Sequence, residues 1–232
     1  MKTRKKCSLQ ELQSIIGLLN FACAVVAPGR AFLRRLIDLT IGLKKPHHMR
    51  RLTLEARADI QAWSVFIENF NGKALIMDNV WTSSPSLHLY TDSSNTGFGG
   101  YLKNFYFAET WTQNSLLQNC HITVKELFPI VLALEVWGQQ LQNCSITFHT
   151  DNEAVAFIIN KQSSSEKLIM RLVRKFVLIT LKYNILFRAL HIAGVNNRLA
   201  NLLSRQQVET YLKETPWAIS VRFKLAEEQL HI

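Results

Sequence analysis

Three acidic residues stand beside apolar stretches, where a solvated charge is uncommon. Asp92 ends the run Leu-Tyr-Thr-Asp, Asp151 ends the run Phe-His-Thr-Asp, and Glu126 lies near the start of an apolar segment. Carboxylates brought together repel one another unless a cation neutralises them, and hard oxygen ligands suit Mg²⁺ or Mn²⁺. The three residues are therefore candidate metal ligands.

Each acid also has an ordinary structural explanation. Asp92 and Asp151 would serve as N-caps of the elements that follow them, and Glu126 as a favourable charge in the first turn of a helix. Taken one at a time, these explanations are at least as good as a metal site. Taken together, the three positions favour convergence, and the sequence leaves both interpretations open.

The elements that must position these acids follow from the spacing of apolar residues. Alternation predicts an antiparallel meander of strands at about 87–92, 97–102 and 105–111. Further strands and helices then alternate, with strands at 145–150 and 185–191 and helices at 123–141, 153–159, 166–182 and 198–203. This order predicts an α/β fold in which helices return the chain to one mixed sheet.

Basic charge is concentrated at the N-terminal end. The 232 residues include 27 Lys+Arg and 17 Asp+Glu, and residues 1–57 hold twelve of the cations and only three of the anions. Apolar periodicity predicts that this region is helical, with helices at 9–20, 31–43 and 53–70. A polyanionic partner, with nucleic acid first, explains the imbalance as well as a solvated face does.

Composition excludes several other classes of protein. With 48% apolar residues the chain can bury a core, so wholesale disorder is excluded. The four cysteines form no CxxC pair, and no secretory signal or stretch long enough to span a membrane is evident. We expect a protein with no membrane partner that is not secreted and works inside the cell, in the cytoplasm or nucleus.

The segment 86–205 resembles the ribonuclease H domain that follows reverse transcriptase in retroelements. Asp92, Glu126 and Asp151 match that family's first three metal-binding acids. The segment His-Ile-Ala-Gly-Val-Asn-Asn-Arg-Leu-Ala-Asn-Leu-Leu-Ser-Arg, at 191–205, is similar to the closing motif, which normally reads Ala-Asp-x-Leu-Ser-Arg. Asn201 stands where the fourth acid belongs.

This resemblance implies a ribonuclease H-like mixed sheet of five strands, three antiparallel and then two parallel, with flanking helices. A small helical domain would precede it. The predicted divisions are a basic helical region at 1–72, a linker at 73–85, the ribonuclease H-like domain at 86–205 and a C-terminal tail at 206–232.

The N-terminal region has a resemblance of its own. The runs Leu-Leu-Asn-Phe-Ala and Ala-Pro-Gly-Arg-Ala-Phe-Leu-Arg-Arg-Leu-Ile-Asp resemble the thumb and connection region of DIRS-type retrotransposon polymerases. The Tyr-x-Asp-Asp motif of a polymerase site is absent from the sequence. The chain is therefore expected to be the C-terminal fragment of a polyprotein, with the upstream polymerase domain as a partner.

The implied activity is metal-dependent endonucleolytic hydrolysis of the RNA strand of RNA–DNA hybrids with two Mg²⁺ or Mn²⁺ ions. The resemblance implies that Asp92 binds both ions and that Glu126 and Asp151 bind one ion. It also implies that His191 takes part in proton transfer or product release. The amide oxygen of Asn201 can ligate Mg²⁺ but lacks the negative charge of the usual acid, so reduced activity is expected. The alternative is a degenerate module that binds a hybrid without cutting it.

Binding a hybrid requires phosphate contacts, which are independent of nucleotide sequence. If the helical region lies beside the sheet, basic side chains are placed to supply them, namely Arg30, Arg34, Arg35, Lys44, Lys45, Arg50 and Arg51. Ser93 and Asn152 are candidates for contacts to 2′-hydroxyl groups, which distinguish RNA from DNA, although a turn or cap role is the more ordinary explanation.

Overall fold

The computed structural model describes residues 4–68, 87–111, 117–216 and 221–222. The chain divides into two compact units, a helical unit of Met1–Trp81 with Gln162–Ser165 and a sheet unit of Thr82–Lys161 with Glu166–Ile232. The predicted linker at 73–85 lies outside the described residues, and the predicted domain limits stay a prediction.

The described part of the helical unit contains α-helices, one 3-10 helix and a small sheet. Its elements are β1 Lys6–Ser8, α1 Leu9–Ala22, the 3-10 helix Ala27–Phe32, α2 Arg34–Asp38, β2 Met49–Arg51 and α3 Leu54–Glu68. A capping box begins α1: the Ser8 hydroxyl accepts from the Glu11 amide at 3.2 Å, and the Glu11 carboxylate accepts from the Ser8 amide at 2.8 Å. The pairing of β1 with β2 was not predicted.

The predicted helix at 31–43 is wrong in its extent, because α2 ends at Asp38. Beyond it the backbone carbonyls of Leu39 and Ile41 accept hydrogen bonds from the Arg50 guanidinium, at 3.1 and 2.7 Å. A continuing helix would use those carbonyls for its own amides. Gly42 then adopts a φ of +80°, which turns the chain away.

The sheet unit alternates strands and helices as predicted, with small shifts at the element ends. Its elements are β3 Leu87–Ser93, β4 Gly97–Leu102, β5 Phe105–Thr110, α4 Ile122–Trp137, β6 Ser145–Thr150, α5 Glu153–Lys161, α6 Lys167–Lys182, β7 Leu186–His191, the 3-10 helix Gly194–Asn197, α7 Arg198–Ser204, α8 Val208–Glu214 and β8 Val221–Arg222. Among the described residues, no helix combines the length and apolar character needed to cross a membrane.

The sheet has the strand order β7-β6-β3-β4-β5-β8. Strands β3, β4 and β5 are antiparallel, and β6 and β7 continue from β3 in parallel, which confirms the predicted mixed α/β fold. The two-residue strand β8 extends the sheet in parallel with β5. Neither β8 nor α8 was predicted.

Helices cover the two faces of the sheet with different side chains. On one face Phe98 and Phe107 contact aromatic rings of α4, Phe128 at 5.3 Å and Trp137 at 5.4 Å between ring centroids. On the opposite face, α7 and α8 pack on β4 and β5. This second layer brings the C-terminal end of α7 against β3 and β4.

Gly99 permits the close approach of α7 to the sheet. A Cβ atom built at Gly99 would lie 2.8 Å from the carbonyl carbon of Leu203 and 3.0 Å from the amide nitrogen of Ser204. These are backbone atoms, so a change of side-chain rotamer cannot relieve the overlap. The glycine is therefore required by packing.

We predict that Gly99→Ala lowers the free energy of unfolding of the sheet unit by about 1–3 kcal/mol, the usual cost of overpacking. Urea denaturation followed by circular dichroism measures the change. Gly17→Ala is the matched control, because a Cβ built there in α1 meets no described atom within 4 Å beyond its chain neighbours and the adjacent backbone of its own helix. Alanine stabilises a helix interior by about 1 kcal/mol relative to glycine, so the two variants should differ in sign. Equal stability of Gly99→Ala and wild type would contradict the packing argument.

Candidate active site

Two neighbouring parallel strands bring the aspartates to one edge of the sheet. Strands β3 and β6 are paired so that Tyr90 lies opposite His149. Asp92 lies two residues beyond Tyr90 and Asp151 two residues beyond His149. The same edge therefore carries both carboxylates.

Glu126 completes this cluster from helix α4. One carboxylate oxygen from each of Asp92, Glu126 and Asp151 lies within 4.8 Å of the others. Asp92 and Glu126 are each only 4% exposed, and Asp151 is half-buried. The predicted convergence of the three acids is present in the fold, whereas their roles as ligands stay a prediction.

The structure does not support the capping interpretation of these acids. Asp92 lies inside β3 rather than before an element, and helix α5 is capped by Asn152, whose side-chain oxygen accepts from the Val155 amide at 3.2 Å. The placement of Glu126 in a first turn was also wrong. Helix α4 begins at Ile122, so Glu126 is its fifth residue. It therefore lies beyond the first four residues, whose backbone amides lack a hydrogen-bond partner within the helix.

A proline in α4 helps to fix the helix beside β3. Pro129 has no N–H, so the carbonyl of Lys125, four residues earlier, lacks its usual helical donor. The buried Ser93 hydroxyl donates to that carbonyl at 2.7 Å. Ser93 also donates its backbone amide to Glu126 Oε1 at 3.3 Å. These two contacts join the end of β3 to the turn of α4 that carries Glu126.

Burial and mutual repulsion disfavour the charged forms of these acids. Burial, with the charges of Asp92 and Asp151, raises the pKa of Glu126 to about 9. Burial also raises the pKa of Asp92, while a hydrogen bond from Ser204 acts in the opposite direction. A cation at the cluster would reverse this balance by favouring the ionised carboxylates.

The donor set fits a divalent cation such as Mg²⁺ or Mn²⁺. All three groups are hard carboxylate oxygens, which these ions prefer. Glu126 Oε2 is buried and has no hydrogen-bond partner among the described residues. An unpaired buried oxygen of this kind is costly unless a cation or a donor reaches it.

Ser204 is a contact of the cluster that the sequence analysis missed. This fully buried serine at the end of α7 donates its hydroxyl to Asp92 Oδ2. Its oxygen also lies 3.0 Å from the carbonyl oxygen of Asn201. The signal was present in the closing motif, but only the docking of α7 on the sheet shows what the serine contacts.

The segment after β7 lies against Asp151. The ring Nε2 of His191, an exposed residue, is 3.2 Å from the backbone carbonyl oxygen of Asp151. A Cβ atom at Gly194 would lie 3.2 Å from Asp151 Oδ2, so glycine leaves room for the carboxylate. The structure thus places the His191 ring against the backbone of Asp151, and its catalytic part stays a prediction.

Asn201 is tied to the loop that precedes α7. Its side-chain nitrogen donates to the carbonyls of Asn197 and Gly194, at 3.2 and 3.4 Å. Asn197 is itself buried and donates from its side chain to the Thr91 carbonyl at 2.9 Å. The amide of Asn201 therefore has a structural use at the position where the resemblance expects an acid.

The candidate nucleic-acid contacts separate into two groups. Three arginines make contacts within the helical unit: Arg34 pairs with Asp38, Arg35 with buried Asp59, and Arg50 with the two carbonyls that end α2. The exposed members are Arg30, Lys44, Lys45 and Arg51. Burial of the Ser93 hydroxyl does not fit its predicted contact with nucleic acid, and the Asn152 side-chain oxygen has the capping role.

Comparison with known proteins points to the same part of the chain. Residues 82–178 match the family model of the RNase H-like domain found in reverse transcriptase. The match includes Asp92, Glu126 and Asp151 and ends before His191 and Asn201. A search of curated proteins gives no match to this sequence.

Solved structures that are similar to part of this chain include two ribonucleases. One is RNase H1 from the halophilic archaeon Halobacterium salinarum, with 14% identity and a TM-score of 0.40, covering 54% of this chain and 98% of that chain. The other is LC11-RNase H1, isolated from compost by a metagenomic approach, with 19% identity and a TM-score of 0.39, covering 56% of this chain and 99% of that chain.

We predict that Glu126→Gln removes a pH dependence from the stability of the metal-free protein. The pKa of this carboxyl is about 9 in the fold against an ordinary 4.5, so between these values the unfolded chain has lost a proton that the folded protein keeps. Stability then falls as pH rises through this window, by at most about 1.4 kcal/mol per pH unit. Urea denaturation with EDTA at several pH values measures the slope.

Glu135→Gln is the matched control for this experiment. Glu135 lies on the same helix, but its carboxylate is paired with Lys175 at 2.8 Å. This variant should keep the pH slope of the wild-type protein. A wild-type slope in Glu126→Gln would show that Glu126 ionises in the fold as it does in the unfolded chain.

Proposed function

We propose that the RNase H-like domain hydrolyses the RNA strand of RNA–DNA hybrids in a metal-dependent endonucleolytic reaction. The observation that carries this proposal is the convergence of Asp92, Glu126 and Asp151 within 4.8 Å, in a segment matched to the RNase H-like domain of reverse transcriptase. The parent protein would be a retroelement polyprotein of the DIRS type with an upstream polymerase domain. The four cysteines form no CxxC pair in the sequence, which fits an intracellular setting, cytoplasmic or nuclear.

Asp92, Glu126 and Asp151 would hold two Mg²⁺ or Mn²⁺ ions, with Asp92 shared between them. When bound, such ions activate a water molecule and stabilise the negative charge on the leaving oxygen. The protein's own contribution is a rigid, poorly solvated carboxylate cluster, fixed by Ser93 to α4 and by Ser204 to α7. The His191 ring lies within hydrogen-bonding distance of the Asp151 backbone carbonyl. From this position it would hold or transfer a proton.

The exposed cations of the helical unit would contact phosphate groups of the hybrid. Lys44, Lys45 and Arg51 support this role best, because Arg34, Arg35 and Arg50 already have partners in the fold and Arg30 interacts with the Cys23 thiol. Such contacts supply affinity without sequence preference and weaken as salt concentration rises. Discrimination of RNA from DNA would come from contacts to 2′-hydroxyl groups.

Cleavage of a labelled RNA–DNA hybrid tests the proposal directly. We predict that the chain cuts the RNA strand with Mg²⁺ or Mn²⁺ and that Asp92→Asn reduces the rate at least 100-fold, because the ions lose their shared charged ligand. Asp38→Asn, the same substitution in the helical unit, should leave the rate unchanged. Cleavage that survives Asp92→Asn would exclude this cluster as the catalytic site.

A degenerate module that binds a hybrid without cutting it is the second candidate function. The observation that favours it is Asn201, whose amide nitrogen donates to two backbone carbonyls instead of adding a negative charge. With only three acids at the site, affinity for the second ion would be reduced.

We predict that Asn201→Asp increases the cleavage rate and lowers the Mg²⁺ concentration needed for half-maximal cleavage, by about tenfold. A titration of cleavage rate against Mg²⁺ concentration measures both. Asn184→Asp is the control and should behave as wild type. It adds the same charge just before the first residue of β7, whereas His191 is at the other end of that strand. Activity in Asn201→Asp alone would favour the degenerate module for the natural chain.

A further inference from the structure

We propose that Ser204 is a positioning residue that orients the Asp92 carboxylate for metal binding. This inference rests on the proposed function, because it concerns the same carboxylate cluster. Ser204 would not touch the ions or the substrate. Its effect would pass through the hydrogen bond from its hydroxyl to Asp92 Oδ2.

The environment of Asp92 explains why it needs such a partner. Asp92 is only 4% exposed, so its carboxyl group must be oriented by donors of the protein rather than by water. A buried carboxylate is stabilised when neutral donors point at it. The Ser204 hydroxyl is such a donor, and it is fully buried, so water does not compete for it.

The hydroxyl of Ser204 is held in place by contacts at the end of α7. The backbone carbonyl of Ser204 accepts from the Ser94 hydroxyl at 2.8 Å, which ties it to the turn between β3 and β4. The Gln206 side chain donates to the Glu109 carbonyl on β5 at 2.9 Å. Since Gly99 lets α7 lie directly on β4, the hydroxyl is placed by backbone packing rather than by a flexible surface loop.

The neutral residue at position 201 makes this hydrogen bond more important. In a site with only three acids, each carboxylate must point into the cluster for divalent cations to bind there. Ser204 and Asn201 lie one turn apart on α7, and the Ser204 hydroxyl has a single proton to donate. Donation to Asp92 gives the proton to the charged acceptor, which makes the stronger hydrogen bond.

Mn²⁺ binding to the full chain without nucleic acid tests the proposal. Ser204→Ala is expected to weaken Mn²⁺ binding, followed by the electron paramagnetic resonance signal of the free ion, by about tenfold or more. Thr215→Val is the matched control: Thr215 is also a buried hydroxyl that donates to a backbone carbonyl, that of Tyr211, but it touches no carboxylate. Thr215→Val should lower thermal stability and leave Mn²⁺ affinity unchanged.

A second variant protects the test against loss of folding. Ser204→Cys keeps nearly the size of serine with a weaker donor, so its Mn²⁺ affinity should lie between wild type and Ser204→Ala. Circular dichroism confirms that each variant is folded. Wild-type affinity in a folded Ser204→Ala, or absence of Mn²⁺ binding by the wild-type chain, would overturn the proposal.

Parallel cleavage assays separate this inference from the proposed function. If Ser204→Ala weakens Mn²⁺ binding but the wild-type chain cuts no hybrid, the positioning role stands and the nuclease proposal fails. If the wild-type chain cuts hybrid and Ser204→Ala binds Mn²⁺ and cuts equally well, the nuclease proposal stands and the positioning role is overturned.

Discussion

The electrostatic cost of three carboxylates within 4.8 Å of one another is the constraint on which the sheet unit depends. Two of the acids are almost fully buried, and the pKa of Glu126 rises to about 9 as a result. A fold selected only for stability would place apolar groups at such positions, because buried like charges are destabilising. The cost of this cluster is consistent with the cation site proposed for it, because a bound cation would neutralise the repulsion.

Two features of the backbone hold the cluster in place, one created by a proline and the other by a glycine. Pro129 leaves the Lys125 carbonyl without a helical donor, and the Ser93 hydroxyl donates to this carbonyl instead. The hydrogen bond holds α4 against the end of β3. On the other face of the sheet, Gly99 has no side chain that would keep α7 away. The Ser204 hydroxyl on α7 therefore lies close enough to donate to Asp92. Each acid on a regular element is thus fixed by a serine from a neighbouring element.

The sequence predicts what depends on local periodicity and misses what depends on long-range contacts. Strands β4 and β6 begin and end at the predicted residues, because alternation and turn residues define them locally. The early end of α2 depends on Arg50, which lies beyond the helix in the chain, and β1 and β2 are too short to show a period. The three acids were identified as a set, whereas the Ser204 contact requires the position of α7 in three dimensions.

Asn201 affects both the charge of the candidate site and the hydrogen bonds of the backbone around it. A carboxylate at this position would lose the two donor contacts that the amide makes with the carbonyls of Gly194 and Asn197, and would repel those oxygens until a cation arrived. Asparagine instead holds the loop that carries Gly194 close to Asp151 in the metal-free protein. At the proposed metal site, asparagine in place of an acid would therefore lower metal affinity, while its two hydrogen bonds stabilise the metal-free protein.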